Sequence, residues 1–219
     1  MKVSWKILLA LGAVAIALFW WFSNPARAPR ERQRRSTSTR SAVRLVAQKV
    51  ALEEMPIITD FSDVEEADMW RSVDDGVMGG VSQSAFSITP QGTGVFSGEL
   101  SLENNGGFAS VRRDVASVNF EDVGAIALRV RGDGRPYQLR LQTETTNNSI
   151  SYRAEFETAA DEWIDIRLPL MEMEPVFRGR IVSDAPKLVP NEIKQLGLLL
   201  ADKQPGSFKL EVDRIQIVR

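Results

Sequence analysis

From Ile57 to the end of the chain, apolar and polar residues alternate in short runs, and this pattern constrains the fold more than any other feature. An alternation with a period of two places apolar side chains on one face of a strand and polar side chains on the other. It recurs at residues 126–131, 137–142, 152–156 and 164–168. No long amphipathic helix separates these runs, so the sequence predicts an all-β fold, a two-sheet β-sandwich or jelly roll, over residues 56–219.

The final run carries two apolar sets of opposite parity, first Phe208, Leu210 and Val212, then Ile215 and Ile217. A strand without an irregularity would expose one of the two sets to water. The sequence therefore predicts a β-bulge near Asp213 and Arg214. Residues 132–134 and 146–149 are predicted turns. Tyr137 and Tyr152 share the parity of core residues and are predicted to be buried.

Two amino acids that dominate enzyme chemistry are missing, since none of the 219 residues is Cys or His. This excludes thiolate nucleophiles, iron–sulfur clusters, His-ligated metals and the Ser-His-Asp triad. Asp213, beside the predicted bulge, is a conceivable calcium ligand, but one carboxylate is weak support for a metal site. The sequence predicts no catalytic residue, no metal and no cofactor.

The N-terminus carries an uncharged apolar run over residues 7–22 that ends in Trp20, Trp21 and Phe22. Counted from Val3, with Lys6 reaching the headgroups, the run matches the thickness of a bilayer core. We predict that residues 1–22 form a transmembrane anchor. The alternative is a signal peptide cleaved at the small residues 26–28.

Charge divides the chain into a basic arm and an acidic body. Residues 1–55 carry ten Lys and Arg against three Asp and Glu, a net +7, and residues 56–219 carry 17 against 26, a net −9. The arginines after the anchor place the C-terminal domain on the cytoplasmic or organelle-interior side, with export as the alternative. Residues 23–55 are predicted to be an Arg-rich linker with a short helix at 41–54; a transit peptide over 27–44 is the other interpretation. An acidic body predicts no nucleic-acid binding.

The densest cluster of glycine and acidic residues spans residues 70–82 and reads WRSVDDGVMGGVS. It lacks the lysine of a phosphate-binding loop and the alternating acids of an EF-hand. Neighbouring Asp74 and Asp75 are expected to point to opposite sides of an extended chain, which argues against a catalytic pair. The residues predicted to contact a partner or to shape this loop are Trp70, Asp74, Asp75, Gly76, Met78, Gly79, Gly80 and Ser82.

A second cluster spans residues 102–110 and reads LENNGGFAS. Asn-Gly between two strands predicts a plain hairpin turn, and a polar loop that presents Asn side chains is the functional alternative. The candidate residues of this loop are Asn104, Asn105, Gly106, Gly107 and Phe108.

These segments resemble the complex I intermediate-associated protein 30 family. The resemblance covers residues 57–219, and the segments that carry it follow one another in the same order as in the family. They are Trp70 with DDGVMGGVS at 74–82, FSG at 96–98, LENNGGFASVR at 102–112, FRGR at 177–180, IKQLGL at 193–198 and GSFKLEVDRI at 206–215. The resemblance implies a galactose-binding-like jelly roll, similar to certain carbohydrate-binding modules, and a non-enzymatic role. The best-known member is a mitochondrial chaperone for assembly of respiratory complex I, and some relatives, fused to other domains, act in photosynthetic complex biogenesis.

Two functions follow as expectations. The first is a membrane-tethered assembly factor whose partners are subunits or assembly intermediates of a respiratory or photosynthetic membrane complex, with the N-terminal helix in the lipid bilayer. The second is an envelope-facing carbohydrate-binding module, for which Trp163, on the outward parity of its strand, is the candidate sugar platform.

Overall fold

Short antiparallel strands make up most of residues 56–146 and 150–219, the part of the chain that the computed structural model describes. The predicted anchor (1–22), the linker with its helix (23–55) and most of the predicted turn at 146–149 lie outside these residues. The strands are β1 (Ile57–Thr59), β2 (Trp70–Ser72), β3 (Gln83–Ile88), β4 (Gly94–Leu100), β5 (Ala109–Asp114), β6 (Ala125–Arg131), β7 (Tyr137–Thr143), β8 (Ser151–Phe156), β9 (Trp163–Pro169), β10 (Glu174–Phe177), β11 (Arg180–Ile181), β12 (Ile193–Leu200) and β13 (Gly206–Val218).

The strands form two antiparallel sheets, so the prediction of an all-β sandwich is confirmed. The six-stranded sheet has the order β3-β4-β13-β6-β9, and β1 pairs with β13 as its sixth strand. The seven-stranded sheet has the order β11-β10-β8-β7-β12-β5-β2. The finer assignment to the jelly rolls stays a prediction.

The inward residues of both sheets build one hydrophobic core, because each strand turns alternate side chains toward the other sheet. Tyr137 and Tyr152 are both buried in it, as their parity predicts. The inward residues of β12 are Leu196, Leu198 and Leu200, and all three are buried. The outward residues of the same strands are therefore free to define the surface of each sheet.

The long strand β13 contains the predicted bulge. Its pairing with β6 shifts register between Val212 and Arg214. The extra residue turns Ile215 and Ile217 inward, and both are buried.

Short 3₁₀ helices connect several strands. They span Val64–Met69, Asp75–Met78, Glu103–Asn105, Leu170–Glu172 and Pro190–Glu192. Within the described ranges, no helix is both long enough and apolar enough to cross a membrane.

The prediction of a plain hairpin at Asn-Gly is wrong, because β4 and β5 belong to different sheets. Asn104 and Asn105 both adopt left-handed backbone conformations, with φ of 55° and 60°. Two such residues in succession turn the chain sharply, and the segment passes from one sheet to the other. The Asn-Gly signal was correct for a turn and misleading about which strands it joins.

Candidate functional site

A buried carboxylate joins the two loops that the sequence singles out. Asp75 is fully buried and accepts hydrogen bonds from the Ser82 hydroxyl at 2.5 Å and the Ser82 N–H at 2.9 Å. The same carboxylate accepts from the N–H groups of Gly107 at 2.7 Å and Phe108 at 3.3 Å. Loop 75–82 and loop 102–108 are therefore held together as one unit.

The hydrogen bonds set the charge state of Asp75. Burial alone would raise the pKa of this carboxyl, because the charged form loses its hydration. The hydrogen bonds from Ser82, Gly107 and Phe108 outweigh burial, and the pKa lies below its ordinary value. The group is an anion whose acceptor oxygens are occupied by the protein.

Asp74 points away from Asp75 and joins the two sheets. It accepts from the Ser84 N–H at 2.8 Å and hydroxyl at 2.6 Å on β3, and from the Ser110 N–H at 2.9 Å on β5. The two neighbouring carboxylates thus contact separate sets of donors, as expected for an extended chain. Their geometry holds loops and sheets in place and does not form a paired acid–base site.

Two glycines allow the loops to close around Asp75. A Cβ on Gly80 would collide with the Asp75 carboxylate, and a Cβ on Gly106 would lie 2.6 Å from its Oδ2. Gly79 ends the 3₁₀ helix at a φ of 92°, in the left-handed region that favours glycine. By contrast, Gly76 is exposed, and a Cβ there would meet nothing within 4 Å.

Trp70 lies in the core and not on the loop surface. Its ring stacks on Phe86 of the facing sheet, with the ring centroids 4.3 Å apart. The centroid of the Phe61 ring lies 6.3 Å from that of Trp70. Its indole N–H has no hydrogen-bond partner among the described residues. Trp70 therefore anchors the start of loop 70–82 by packing.

A groove of about 1010 Å³ lies on the outer face of the seven-stranded sheet. Outward residues of β5, β12, β7 and β8 form its floor, which is polar and positively charged. The floor residues that matter below are Arg112, Gly197, Gln138, Arg140, Ser151 and Arg153.

The two loops joined by Asp75 form one side of this groove. Met78 and Leu102 supply apolar surface there, and Met78 is 53% exposed. Asn105, Gly107 and Phe108 continue the same side. Asn104 is exposed beside them and does not line the groove.

The hairpin of β10 and β11 forms the opposite side. Phe177 pairs with Arg180, and the two residues between them have left-handed φ values of 47° at Arg178 and 77° at Gly179. Two successive positive φ values produce a tight two-residue turn that matches the twist of a hairpin. The turn brings Phe177, 45% exposed, and Arg178 to the groove.

The arginines of the groove floor are not among the site residues that the sequence predicts. Arg140 and Arg153 lie on the outward parity of predicted strands and are typical of a solvated outer face, and Arg112 lies in a segment for which no outward face was predicted. Only the order of the strands brings these three side chains to one cavity. The sequence signal that was available is an outward Arg on each of two predicted strands, at Arg140 and Arg153.

Trp163, the candidate sugar platform, lies on the other sheet. Its ring packs against the guanidinium groups of Arg131 and Arg129, whose Cζ atoms lie 4.9 and 5.7 Å from the ring centroid. Trp163 therefore contributes nothing to the groove. Asp213, the conceivable calcium ligand, pairs with Arg214 at 2.5 Å, and no cluster of three or more acidic residues able to hold a metal occurs in the described part of the chain.

Solved structures that superpose on this chain include β-sandwich carbohydrate-binding modules. The family 11 module of the cellulase Lic26A-Cel5E from Clostridium thermocellum superposes with a TM-score of 0.60 at 14% identity, covering 75% of this chain and 94% of the module. The same module in complex with a mixed-linked tetrasaccharide gives 0.57 at 14% identity, covering 74% and 94%. At this identity the likeness defines the fold alone.

The chain belongs to the complex I intermediate-associated protein 30 family, whose sequence pattern matches residues 59–212. The mouse protein named complex I intermediate-associated protein 30, mitochondrial, is 26% identical over 78% of this chain and 58% of its own length. The Drosophila melanogaster protein of the same name is 23% identical over 74% and 62%. This chain thus spans between about half and three-fifths of the relatives' length.

Proposed function

We propose that this chain is a non-enzymatic assembly factor for a respiratory, complex I-like, or photosynthetic membrane complex, tethered to the membrane by residues 1–22. Membership of the family and the names of the mouse and fly relatives support the assembly role. Those names also include the word mitochondrial, which supports a location in an organelle. The arginines that follow residue 22 favour the organelle interior or, in a bacterium, the cytoplasm for the domain. The partners are then subunits or assembly intermediates of that complex.

One observation carries the proposal. The six segments on which the family resemblance rests are far apart in sequence, yet four of them meet at the groove. Loops 74–82 and 102–108 form one side, FRGR at 177–180 forms the other, and Gly197 of IKQLGL lies in the floor. A family that shared only a fold would have no reason to concentrate its characteristic residues around one exposed surface. We therefore place the partner surface on the outer face of the seven-stranded sheet.

The chemistry of these residues favours binding over catalysis. The carboxylates of Asp74 and Asp75 are committed to hydrogen bonds that hold the loops. The chain offers neither His nor Cys as a proton shuttle or a nucleophile. Exposed Met78 and Phe177 on the two sides of a polar floor resemble the mixed surface of a protein–protein interface.

The experiment is a pull-down of the full-length chain from membranes solubilised in a mild detergent, with the captured proteins identified by mass spectrometry. We expect subunits and assembly intermediates of a respiratory or photosynthetic complex. Met78→Ser, on the groove, should reduce their recovery several-fold. Met171→Ser is the matched control, because Met171 is 92% exposed and does not line the groove.

Two outcomes would contradict the proposal. Capture of polysaccharide-processing envelope proteins in place of membrane-complex subunits would favour the exported carbohydrate-binding module, and hits on a glycan array would strengthen that alternative. Equal losses with Met78→Ser and Met171→Ser would show that the groove is not the partner surface.

A further inference from the structure

Three arginines form a single row across the floor of the groove. The register of the sheet places Arg112 of β5 opposite Gly197 of β12, and Gly197 opposite Arg140 of β7. Arg140 in turn lies opposite Arg153 of β8. Directly opposed residues on neighbouring strands have their Cβ atoms about 5 Å apart, so the row concentrates positive charge along a line that crosses the strands.

Gly197 leaves a gap in this row that Arg112 fills. A Cβ on Gly197 would lie 2.8 Å from the Val111 carbonyl oxygen and 3.2 Å from Cγ of Arg112. The stem of Arg112 therefore leans over the glycine toward Arg140. Burial and then the charges of Arg153 and Arg112 lower the pKa of Arg140 to about 10, although the nearby charge of Glu155 acts in the opposite direction, and this is consistent with guanidinium groups held close together.

Neutral groups hold the Arg140 guanidinium in place without cancelling its charge. Its Nε and Nη2 donate to Oε1 of Gln138 at 3.0 and 2.7 Å, and its Nη1 donates to the Ser151 hydroxyl at 2.9 Å. Three of its five N–H groups are used, so one on each terminal nitrogen remains. Such a guanidinium is oriented in advance for a planar, two-oxygen acceptor.

In the part of the chain that the structure describes, only one member of the row has a carboxylate partner. Arg153 pairs with Glu174 at 2.8 Å. Within the described residues, neither Arg112 nor Arg140 has an ion-pair partner. The floor thus has two guanidinium groups available to a bound anion.

The charges around the row narrow the class of anion that the groove can bind. The chain's own N-terminal arm is a poor occupant because residues 1–55 carry a net charge of +7. A long polyanion such as a nucleic acid needs many phosphates neutralised together, whereas the row offers two guanidinium groups without an ion pair among the described residues, on a body with a net charge of −9. A short acidic segment bordered by apolar residues suits the floor and also the exposed Met78 and Phe177 on the sides.

We propose that the groove binds a short, extended, carboxylate-bearing segment of a partner protein, whose carboxylates pair with the guanidinium groups of Arg112 and Arg140. This inference rests on the proposed function, since it names the chemistry of the partner at the same surface. The groove then recognises acidic segments of a partner. Gln138 and Ser151 are positioning residues, because they hold the Arg140 guanidinium in place.

Peptide binding to the full chain in a nonionic detergent tests the inference, with fluorescence anisotropy as the readout. The probe is a fluorescein-labelled peptide in which Glu alternates with Thr and each end carries Leu; the control peptide has Gln in place of every Glu. We expect the acidic peptide to bind and the control to bind about ten-fold more weakly or worse, because a charge-assisted pair is replaced by a neutral one. Equal binding of the two peptides would overturn the inference.

Variants then locate the binding. Arg112→Gln should weaken the acidic peptide about ten-fold, and Arg112→Lys should restore part of the affinity because it keeps the charge. Arg167→Gln is the matched control, since Arg167 is exposed on the outer face of the other sheet and the variant has the same net charge. Because Arg112 forms no ion pair with any residue that the structure describes, Arg112→Gln should unfold at the same temperature as the wild type. Equal losses with Arg112→Gln and Arg167→Gln, or tighter binding of an oligonucleotide than of the peptide, would contradict the inference.

The pull-down separates this inference from the proposed function. If the wild type and Arg112→Gln capture the same membrane-complex subunits equally, the acidic-segment inference fails and the assembly role stands. If the acidic peptide binds in an Arg112-dependent way but no membrane-complex subunit is captured, the inference stands and the assembly role fails.

Discussion

The outer faces of the two sheets carry similar numbers of arginines but neutralise them differently. On the six-stranded sheet each arginine of the central cluster has a carboxylate. The ion pairs are Arg129 with Asp165, Arg131 with Glu211 and Arg214 with Asp213, at N–O distances of 3.2, 2.7 and 2.5 Å. On the seven-stranded sheet, Arg112 and Arg140 have no ion-pair partner within the described ranges.

The difference comes from the order of the strands. Arg129 of β6 lies opposite Asp165 of β9, so the sheet itself supplies its partner. Arg140 of β7 lies opposite Gly197 on one side and Arg153 on the other. Like charges directly opposite each other in a sheet are destabilising. The row therefore indicates a binding role and not a structural one. The central arginines of the six-stranded face are neutralised by carboxylates, whereas two arginines of the groove floor are not.

The largest expected effect tests whether the Asp75 carboxylate, beside the groove, contributes more to stability than a carboxylate on the outer face of the other sheet. Asp75→Ala leaves three buried or half-buried N–H groups, those of Ser82, Gly107 and Phe108, without an acceptor, while the Ser82 hydroxyl keeps the Ser101 carbonyl at 3.2 Å. We expect it to lower the free energy of unfolding by about 3 kcal/mol. Asp165→Ala on the opposite face removes a partly exposed partner and should cost less than about 1 kcal/mol. Urea denaturation of both variants provides the measurement.

Equal losses in the free energy of unfolding for Asp75→Ala and Asp165→Ala would contradict this difference between the two regions. It would mean that loops 75–82 and 102–108 do not depend on the Asp75 carboxylate for their position. Gly80→Ala gives an independent check, because its Cβ would collide with that carboxylate. It should destabilise the chain more than Gly76→Ala, where a Cβ has open space.

The sequence was sufficient for the sandwich because alternation reports which face of a strand is buried. The β-bulge at Val212–Arg214 followed from the same logic, since only a register shift could bury both apolar sets. The sequence was insufficient for the Asn105-Gly106 connection. A turn signal reports local backbone geometry, and it does not report which strand the chain will pair with after the turn.

The groove could not be predicted from the sequence, for a related reason. An outward arginine looks the same in sequence whether its neighbour across the sheet is Asp165 or Gly197. The neighbour is decided by strand order, which depends on long-range packing. The loops at 74–82 and 102–108 could be singled out by composition, but their junction through Asp75 required knowing that Gly107 and Phe108 return to the same place.

A smaller effect concerns pH and sharpens the role of Asp75. A carboxyl whose pKa is lowered on folding stabilises the protein above its unfolded value, and this contribution is lost as the pH falls through the folded value. Asp75 has an ordinary value of 3.8 and a lower one when folded. The wild type should therefore exceed Asp75→Asn in stability at neutral pH, and the difference should shrink below about pH 4. Urea denaturation at several pH values measures it; a difference that stays constant into strong acid would contradict the pKa shift.

A third effect compares one arginine from each face directly. Arg131→Gln removes an ion-pair partner of the buried Glu211, which keeps Thr93 as a donor at 2.7 Å, so we expect a loss of about 1 kcal/mol. Arg112→Gln removes no ion pair and relieves repulsion, so its stability should stay within about 0.5 kcal/mol of the wild type. Thermal unfolding at low ionic strength is the measurement. A larger loss for Arg112→Gln would show that the groove arginine has a structural partner after all.

The smallest expected effect asks whether the outer face of the seven-stranded sheet attracts anions at all. Sulfate presents charged oxygens to a guanidinium much as a carboxylate does. If sulfate at its dissociation constant occupies the row, linkage predicts about 0.4 kcal/mol of stabilisation, which for a domain of this size is a rise in melting temperature of about 1 °C. Sulfate also stabilises proteins through exclusion from their surface, so the wild type alone decides nothing.

The decisive quantity is the difference between variants in sodium sulfate and in sodium chloride of equal ionic strength. General exclusion acts equally on Arg112→Gln and Arg167→Gln, because each loses one exposed or half-exposed arginine. Specific occupancy acts only where the row is intact. We expect Arg167→Gln to keep the extra stabilisation of the wild type and Arg112→Gln to lose it. Identical shifts in all three proteins would mean that the two outer faces differ in geometry but not in their affinity for anions.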